Sequence, residues 1–361
     1  MAISPSRVLT AFFLLVMLGA LVRIPDLFAT YASDGIAVKS LPSDLAEARS
    51  ALMHEQLRDD RYFAAAQTFV GTPVALLRAH PQWILGLLLP AAVLWGLLGG
   101  VISRGASIEF GLGTSAPWSK CMGQALSRWQ SLAMATLGPL LLAAIVLAML
   151  PVFGKLLDVR GVQYVAGALY VVPLLLSFVA AGLVIVFLLS LPMLVAGVMS
   201  EGGEALEAVQ RAFAYVLAQP ARLAGALLVL SALGVALLAL VALLTQLSLY
   251  TSSQLTTLWV SESTREALAS QAMRGEASEF GGATGAVGTT GMLVGFWVKL
   301  ALAIAPSVLV SFVFCAGSVL YLSMRQAVDG QHLSDIWDPA AGPRVIVPAT
   351  VESDSGDGDD A

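Results

Sequence analysis

Long apolar runs separated by short polar stretches set the rhythm of this chain. A helix needs about 20 mostly apolar residues to cross about 30 Å of hydrocarbon at 1.5 Å per residue. Six segments read as spans: 8–22, 83–102, 132–153, a stretch within 162–199, 223–249 and 295–322. The first follows Arg7 and is interrupted by Arg23 and Asp26. A cleaved signal peptide competes there with an uncleaved anchor over residues 1–28, and the anchor is preferred because Arg23 sits where a signal's c-region is short and neutral. The fourth stretch holds 38 residues with Pro173 and Pro192 inside it, and would measure about 57 Å as one helix. No polar turn divides it near 177–182, so it predicts one kinked span ending near Met199, preceded by a short interfacial or re-entrant segment. Seven crossings is the alternative.

Prolines 90, 139, 173, 192 and 306 all fall in apolar runs, as membrane helices tolerate. Gly96 and Gly100 stand four apart, the small-xxx-small spacing of close helix contact. The spans thus predict an all-α, polytopic transmembrane helix bundle, with residues 83–330 as its five-span membrane domain.

Between the spans the periodicity becomes amphipathic. Residues 29–82 carry Leu45, Leu52, Leu57, Phe63 and Phe69 at near-helical intervals, with nearly balanced charges on a solvated face. An elbow helix over 115–131 aligns Trp118, Met122, Ala125, Trp129 and Leu132, with Lys120 and Arg128 on its flanks, a composition suited to the headgroup layer. A second elbow over 203–218 aligns Leu206, Val209, Phe213 and Leu217. Glu201, Glu204 and Glu207 are placed at its start, where acids complement the helix dipole. Both elbows carry an Ala-x-x-Arg step, Ala125 to Arg128 and Ala208 to Arg211, which suggests a duplicated unit of span, elbow and span. Ser263-Thr264-Arg265-Glu266 has capping-box spacing. Residues 331–361 read as a disordered acidic tail.

Composition sharpens this picture. The 361 residues are 58% apolar and 12% charged, with mean hydropathy +0.83, against about 45–50% and about 25% for soluble domains. Net charge −5 argues against nucleic acid as a partner. Two cysteines and three histidines leave little material for a disulfide framework or a metal centre. The chain has no Asn, which excludes N-glycosylation, and its 15 Arg against 4 Lys suggest a GC-rich bacterial genome. Arg104, Lys120 and Arg128 gather at one short connection, the best cytoplasmic candidate by the positive-inside rule. That choice gives an inner-membrane protein with both termini in the cytoplasm.

The catalytic patterns fail in context. Gly111-x-Gly113-x-x-Ala116 follows no strand, and Gly154-Lys155 is followed by Leu156. The histidines are scattered. No catalytic, cofactor-binding or metal residue is assigned, and no cofactor is expected. Lys299 lies in an apolar run and is a functional suspect on that ground, although it can snorkel to the surface beside Trp297.

Three stretches carry a resemblance: Gly99-Gly100-Val101-Ile102-Ser103-Arg104; 199–202 leading into 208–220, with Glu201, Arg211 and Tyr215; and 322–330, with Arg325, Asp329 and Gly330. There the chain resembles a family of uncharacterised bacterial multi-pass integral membrane proteins of no established activity. Ala212 and Ala214 stand where that pattern has Ser, and Gly202-Gly203 where it has an Asp. The resemblance implies cytoplasmic junctions at these steps. The expected function is a non-catalytic scaffold or membrane-organising component, with the lipid bilayer and a membrane-protein partner or homo-oligomer as partners. A transporter or permease-like subunit for a small solute or lipid is the alternative, and an intramembrane enzyme is disfavoured.

Overall fold

The computed structural model describes residues 2–32, 81–157, 161–256, 259 and 286–337. The amphipathic segment centred in 29–82, the capping box at 263–266 and the acidic tail beyond Trp337 lie outside the described residues. Among those described, the chain is helical without strands. Its helices are α1 (Pro5–Ala32), α2 (Pro81–Leu112), α3 (Trp118–Ser127), α4 (Trp129–Ala148), α5 (Leu150–Leu157), α6 (Gln163–Ala168), α7 (Val171–Glu201), α8 (Ala205–Ala218), α9 (Pro220–Thr256), α10 (Ala286–Leu302) and α11 (Ile304–Asp329). Six helical stretches are long and apolar enough to cross a bilayer. They comprise α1, α2, α4 with α5, α7, α9, and α10 with α11.

Small residues set the packing. Phe314 sits against Gly99, and the Ser318 hydroxyl donates to the Ser103 carbonyl at 3.2 Å, so α2 and α11 run in the same direction. Gly317 meets the Pro192 carbonyl and Tyr321 meets Gly197, which sets α7 parallel to them. Gly96 and Gly100 both face Leu132, where a Cβ would come within 3.0 Å or closer of that residue. The small-xxx-small spacing therefore seats the start of α4. Leu223 belongs to the cluster around Leu322, while Gly234 faces Phe312, so α9 runs back along α11. Arg7 in the first turns of α1 pairs with Glu109 near the end of α2 at 2.5 Å. The start of α1 and the end of α11 thus lie at one end of the bundle.

The fourth apolar stretch is one helix, α7, preceded by the short α6, as the pattern predicts. Pro90, Pro139 and Pro192 are interior to helices, whereas Pro173 and Pro306 fall in first turns, where the missing N–H has no helical partner to lose.

Two units of span, elbow and span follow one another: α2-α3-α4 and α7-α8-α9. Each elbow is joined to the next span by one residue, Arg128 or Gln219. The Ala-x-x-Arg steps are not equivalent, because Arg128 is the junction itself while Arg211 lies inside α8. The elbow faces also differ from expectation. The first elbow helix ends at Ser127 and buries Cys121, Gln124 and Ala125, leaving Trp118 and Trp129 exposed. The second buries Ala208, Ala212, Tyr215 and Val216, and leaves Leu206 and Leu217 outside. Close approach to the bundle favours small side chains at the deepest positions, Ala125, Ala208 and Ala212, so each expected stripe is split. Leu132 is buried and Met122, Val209 and Phe213 pack partly against the core, while Trp118, Trp129, Leu206 and Leu217 stay outside. Glu201 is the last residue of α7, Glu204 is the N-cap position of α8, and only Glu207 of the three lies in its first turn. Residues 331–337 pack on the bundle, and Ile336 is buried.

Candidate functional site

Arg104 lies two residues beyond the apolar run of α2 and is 2% exposed. An isolated buried charge costs several kcal/mol, and this guanidinium is held on every side. Its Nε donates to Gln124 Oε1 at 2.7 Å, its Nη1 to the Met199 carbonyl at 2.7 Å, and its Nη2 to the Trp337 carbonyl. One side chain therefore ties α2 to α3, to the end of α7 and to the segment after α11. Beside it, the hydroxyls of Ser107 and Ser200 share a hydrogen bond of 3.0 Å.

That last segment is a strap. Gly330 ends α11 at φ +68°, the left-handed conformation glycine supplies without steric cost, and the chain turns back. The Leu333 carbonyl and Ile336 lie over Gly111, where a Cβ would sit 2.5 Å and 2.6 Å from them. The Trp337 N–H donates to the Ser200 carbonyl at 2.8 Å. Its indole rests on Gly202, and the Arg104 and Arg128 guanidinium carbons lie 5.7 Å and 5.0 Å from the ring centroid, within cation–π range. Arg325, 1% exposed, donates from Nη2 to the His332 carbonyl at 3.2 Å, and its Nε has no partner.

A second cluster joins α7, α8 and α11. The Glu201 carboxylate accepts from the Tyr321 hydroxyl and from Arg211, which also reaches Glu207 at 2.6 Å. The Tyr215 hydroxyl donates to Asp329, and the rings of Tyr215 and Tyr321 are 5.7 Å apart. Burial and then the Asp329 carboxylate push the Tyr215 phenol well above its ordinary range. On α3, burial likewise raises the Cys121 thiol against the opposing pull of Arg104. Such a thiol is a core group rather than a thiolate nucleophile.

Six of the seven residues singled out in the sequence therefore stand in one polar collar at one end of the bundle: Arg104, Glu201, Arg211, Tyr215, Arg325 and Asp329. Lys299 stands apart. It is exposed on α10, thirty residues before Asp329, about 45 Å along the helical path. Trp337, Tyr321, Gln124 and the Arg7–Glu109 pair escaped sequence reasoning. The signal for Trp337 was Ile336-Trp337 itself, an apolar pair flanked by Asp335 and Asp338. Gly111 and Gly113 are explained without a nucleotide: the first makes room for the strap, and the second ends α2 at φ +68° with its N–H on the Glu109 carbonyl.

Fold and collar together define an all-helical, multi-pass membrane protein in which a C-terminal strap closes one end of the bundle. Compared with known proteins, the chain matches no family model, no curated protein and no solved structure.

Proposed function

We propose that this chain is a non-catalytic scaffold, or membrane-organising component, of the bacterial inner membrane, with both termini in the cytoplasm. One observation carries the reading: the charged groups of the collar are committed to one another and to main-chain carbonyls. Glu201 holds Arg211 and Tyr321, Asp329 holds Tyr215, and Arg104 holds Gln124, Met199 and Trp337. Such groups fix helix positions instead of meeting a substrate. The elbows meanwhile turn Trp118, Leu126, Trp129, Leu206 and Leu217 outward, an apolar fringe suited to headgroups or to a second membrane protein. Arg7, Arg104, Lys120, Arg128, Arg211 and Arg325 gather at the collar end, which the positive-inside rule assigns to the cytoplasm.

A transporter subunit is the second reading, favoured by the repeated order of span, elbow and span and by Pro192 lying against Gly317. Against it, the groove of about 470 Å³ between α1 and α11 is lined by side chains such as Val8, Phe12 and Ile304. Its Ser307 hydroxyl is already used on the Ala303 carbonyl at 2.6 Å.

Native mass spectrometry after gentle solubilisation, paired with solute-screened thermal shifts and flux in proteoliposomes, tests the choice. A stoichiometric membrane-protein complex or homo-oligomer without solute-dependent stabilisation is expected. A monomer that one solute stabilises and that moves this solute overturns the scaffold reading.

A further inference from the structure

We propose that the outward side of the first elbow, α3 with Arg128, docks anionic phospholipid headgroups, with Trp118, Leu126 and Trp129 toward the acyl chains and Lys120 and Arg128 against the phosphates. This deepens the membrane-organising reading and rests on it for the outward fringe; it adds the charge class of the lipid and selects one elbow of the two. At about 100° per residue, the positions of α3 sort into three strips. Cys121, Gln124 and Ala125 are buried against the bundle. Trp118, Met122 and Leu126, spaced four apart, form an apolar strip whose two ends are 48% and 52% exposed. Lys120 lies on the third strip, which is small, polar and exposed throughout. A helix with a buried strip, an exposed apolar strip and an exposed polar strip fits a protein edge lying in the headgroup layer.

Charge selects the kind of lipid. Residues 110–157 contain no acid, yet Lys120, Arg128 and Lys155 fall within them. Arg128 is half-buried at the joint of α3 and α4, immediately before the first residue of the third apolar span. Its guanidinium lies over the Trp337 ring and, among the described residues, makes no hydrogen bond or ion pair. Phosphate oxygens would supply the charged acceptors that the protein does not give it. The second elbow has the opposite sign. Glu204 and Glu207 open α8, Arg211 is held between Glu201 and Glu207, and Leu206 lies between acids in the chain.

The surface is also held in place before any lipid arrives. Trp118 Nε1 donates to the Thr10 hydroxyl at 3.0 Å, which fixes that indole against α1 while its ring stays half exposed. Trp129 opens the span itself and is exposed as well. Indoles and cations together at a span end mark the headgroup layer, and here both are positioned by the fold.

Native mass spectrometry of the full-length protein, released from nanodiscs with equal phosphatidylglycerol and phosphatidylcholine, tests this. Retained phosphatidylglycerol is expected to exceed phosphatidylcholine roughly tenfold, the scale of two cations near an anionic surface. Joint Lys120→Gln and Arg128→Gln substitution should bring the ratio close to one. Arg128→Lys, which keeps the charge, should preserve it, and so should Arg222→Gln, which removes an exposed cation at the second elbow. Lys120→Glu alone, at an exposed position, lowers the ratio without touching the joint, and so reads the charge even where the double variant folds poorly. A ratio near one in the parent, an unchanged ratio in the double variant or in Lys120→Glu, or an equal fall in Arg222→Gln overturns the proposal. A dimer that holds no phosphatidylglycerol assigns the fringe to a second copy and overturns it too. A monomer that moves a solute yet keeps its phosphatidylglycerol fails the scaffold reading alone, whereas a stoichiometric complex without lipid preference fails only this proposal.

Discussion

Gly202 and Trp337 compete for one volume: the indole of Trp337 lies where a side chain on residue 202 would be. The same glycine ends α7 at φ +64°, so helix termination and strap docking meet at one residue.

Gly202→Ala is therefore expected to release the strap as well as strain the turn. Gly330→Ala, at φ +68° in open space, meets only the left-handed penalty of about 1–2 kcal/mol. Thermal unfolding in detergent, with proteolysis of the strap alongside, should show the first variant weaker and cleaved near 331–337, and the second weaker but still protected.

Gly317→Ala drives a methyl into the Pro192 carbonyl, a main-chain atom that cannot rotate away. Overpacking of this kind costs about 1–3 kcal/mol or more, and fluorescence-detected size exclusion should report a less stable or misassembled bundle. Gly225→Ala, with open space around it, is expected to be neutral or mildly stabilising.

Tyr215 predicts an alkaline limit. A phenol whose folded pKa is raised binds its proton more tightly in the native state. The stability it contributes is complete below about pH 10, its ordinary range, and is lost as pH climbs through the higher folded value. Melting temperatures across this window should fall more steeply for the parent protein than for Tyr215→Phe.

Glu201→Ala leaves the buried Tyr321 hydroxyl without its acceptor and Arg211 with Glu207 alone. A loss of about 2–3 kcal/mol is expected, because unsatisfied buried groups carry their full desolvation penalty. Glu201→Gln, which still accepts from Tyr321, should lose less in chemical denaturation.

Single cysteines at Thr114, Gln163 and Gln331, in a background lacking Cys121 and Cys315, read the layout. Thr114 and Gln331 should react with a membrane-impermeant maleimide from the same side, and Gln163 from the other. Labelling of all three from one side contradicts six crossings.

The legibility of the chain follows from which forces are local. Spans appear in the sequence because lipid demands continuous apolar length, and α7 kept its single-helix form across Pro192 for that reason. Gly96 and Gly100 were readable as a contact because only small residues admit Leu132 so closely. The elbow faces were readable only in part: Ala125 and Leu132 of the first stripe are buried, whereas Trp118, Trp129, Leu206 and Leu217 are not. Ala208 and Ala212 bury better than Leu206 and Leu217, since the depth of the seat is set by helices that lie elsewhere in the sequence. Lys299 looked functional because charge in an apolar run is rare, yet its distance from the collar depends on where the helix ends.

The sequence by itself determined an all-helical membrane bundle, its crossings and the short elbows, because hydrophobic length and period act within one segment. Tertiary structure alone decided that Arg104, Glu201, Tyr215 and Asp329 form a collar, and that a tail 233 residues from Arg104 supplies one of its acceptors. A buried cation must be satisfied by whatever acceptor folding brings near, and no local pattern names that acceptor.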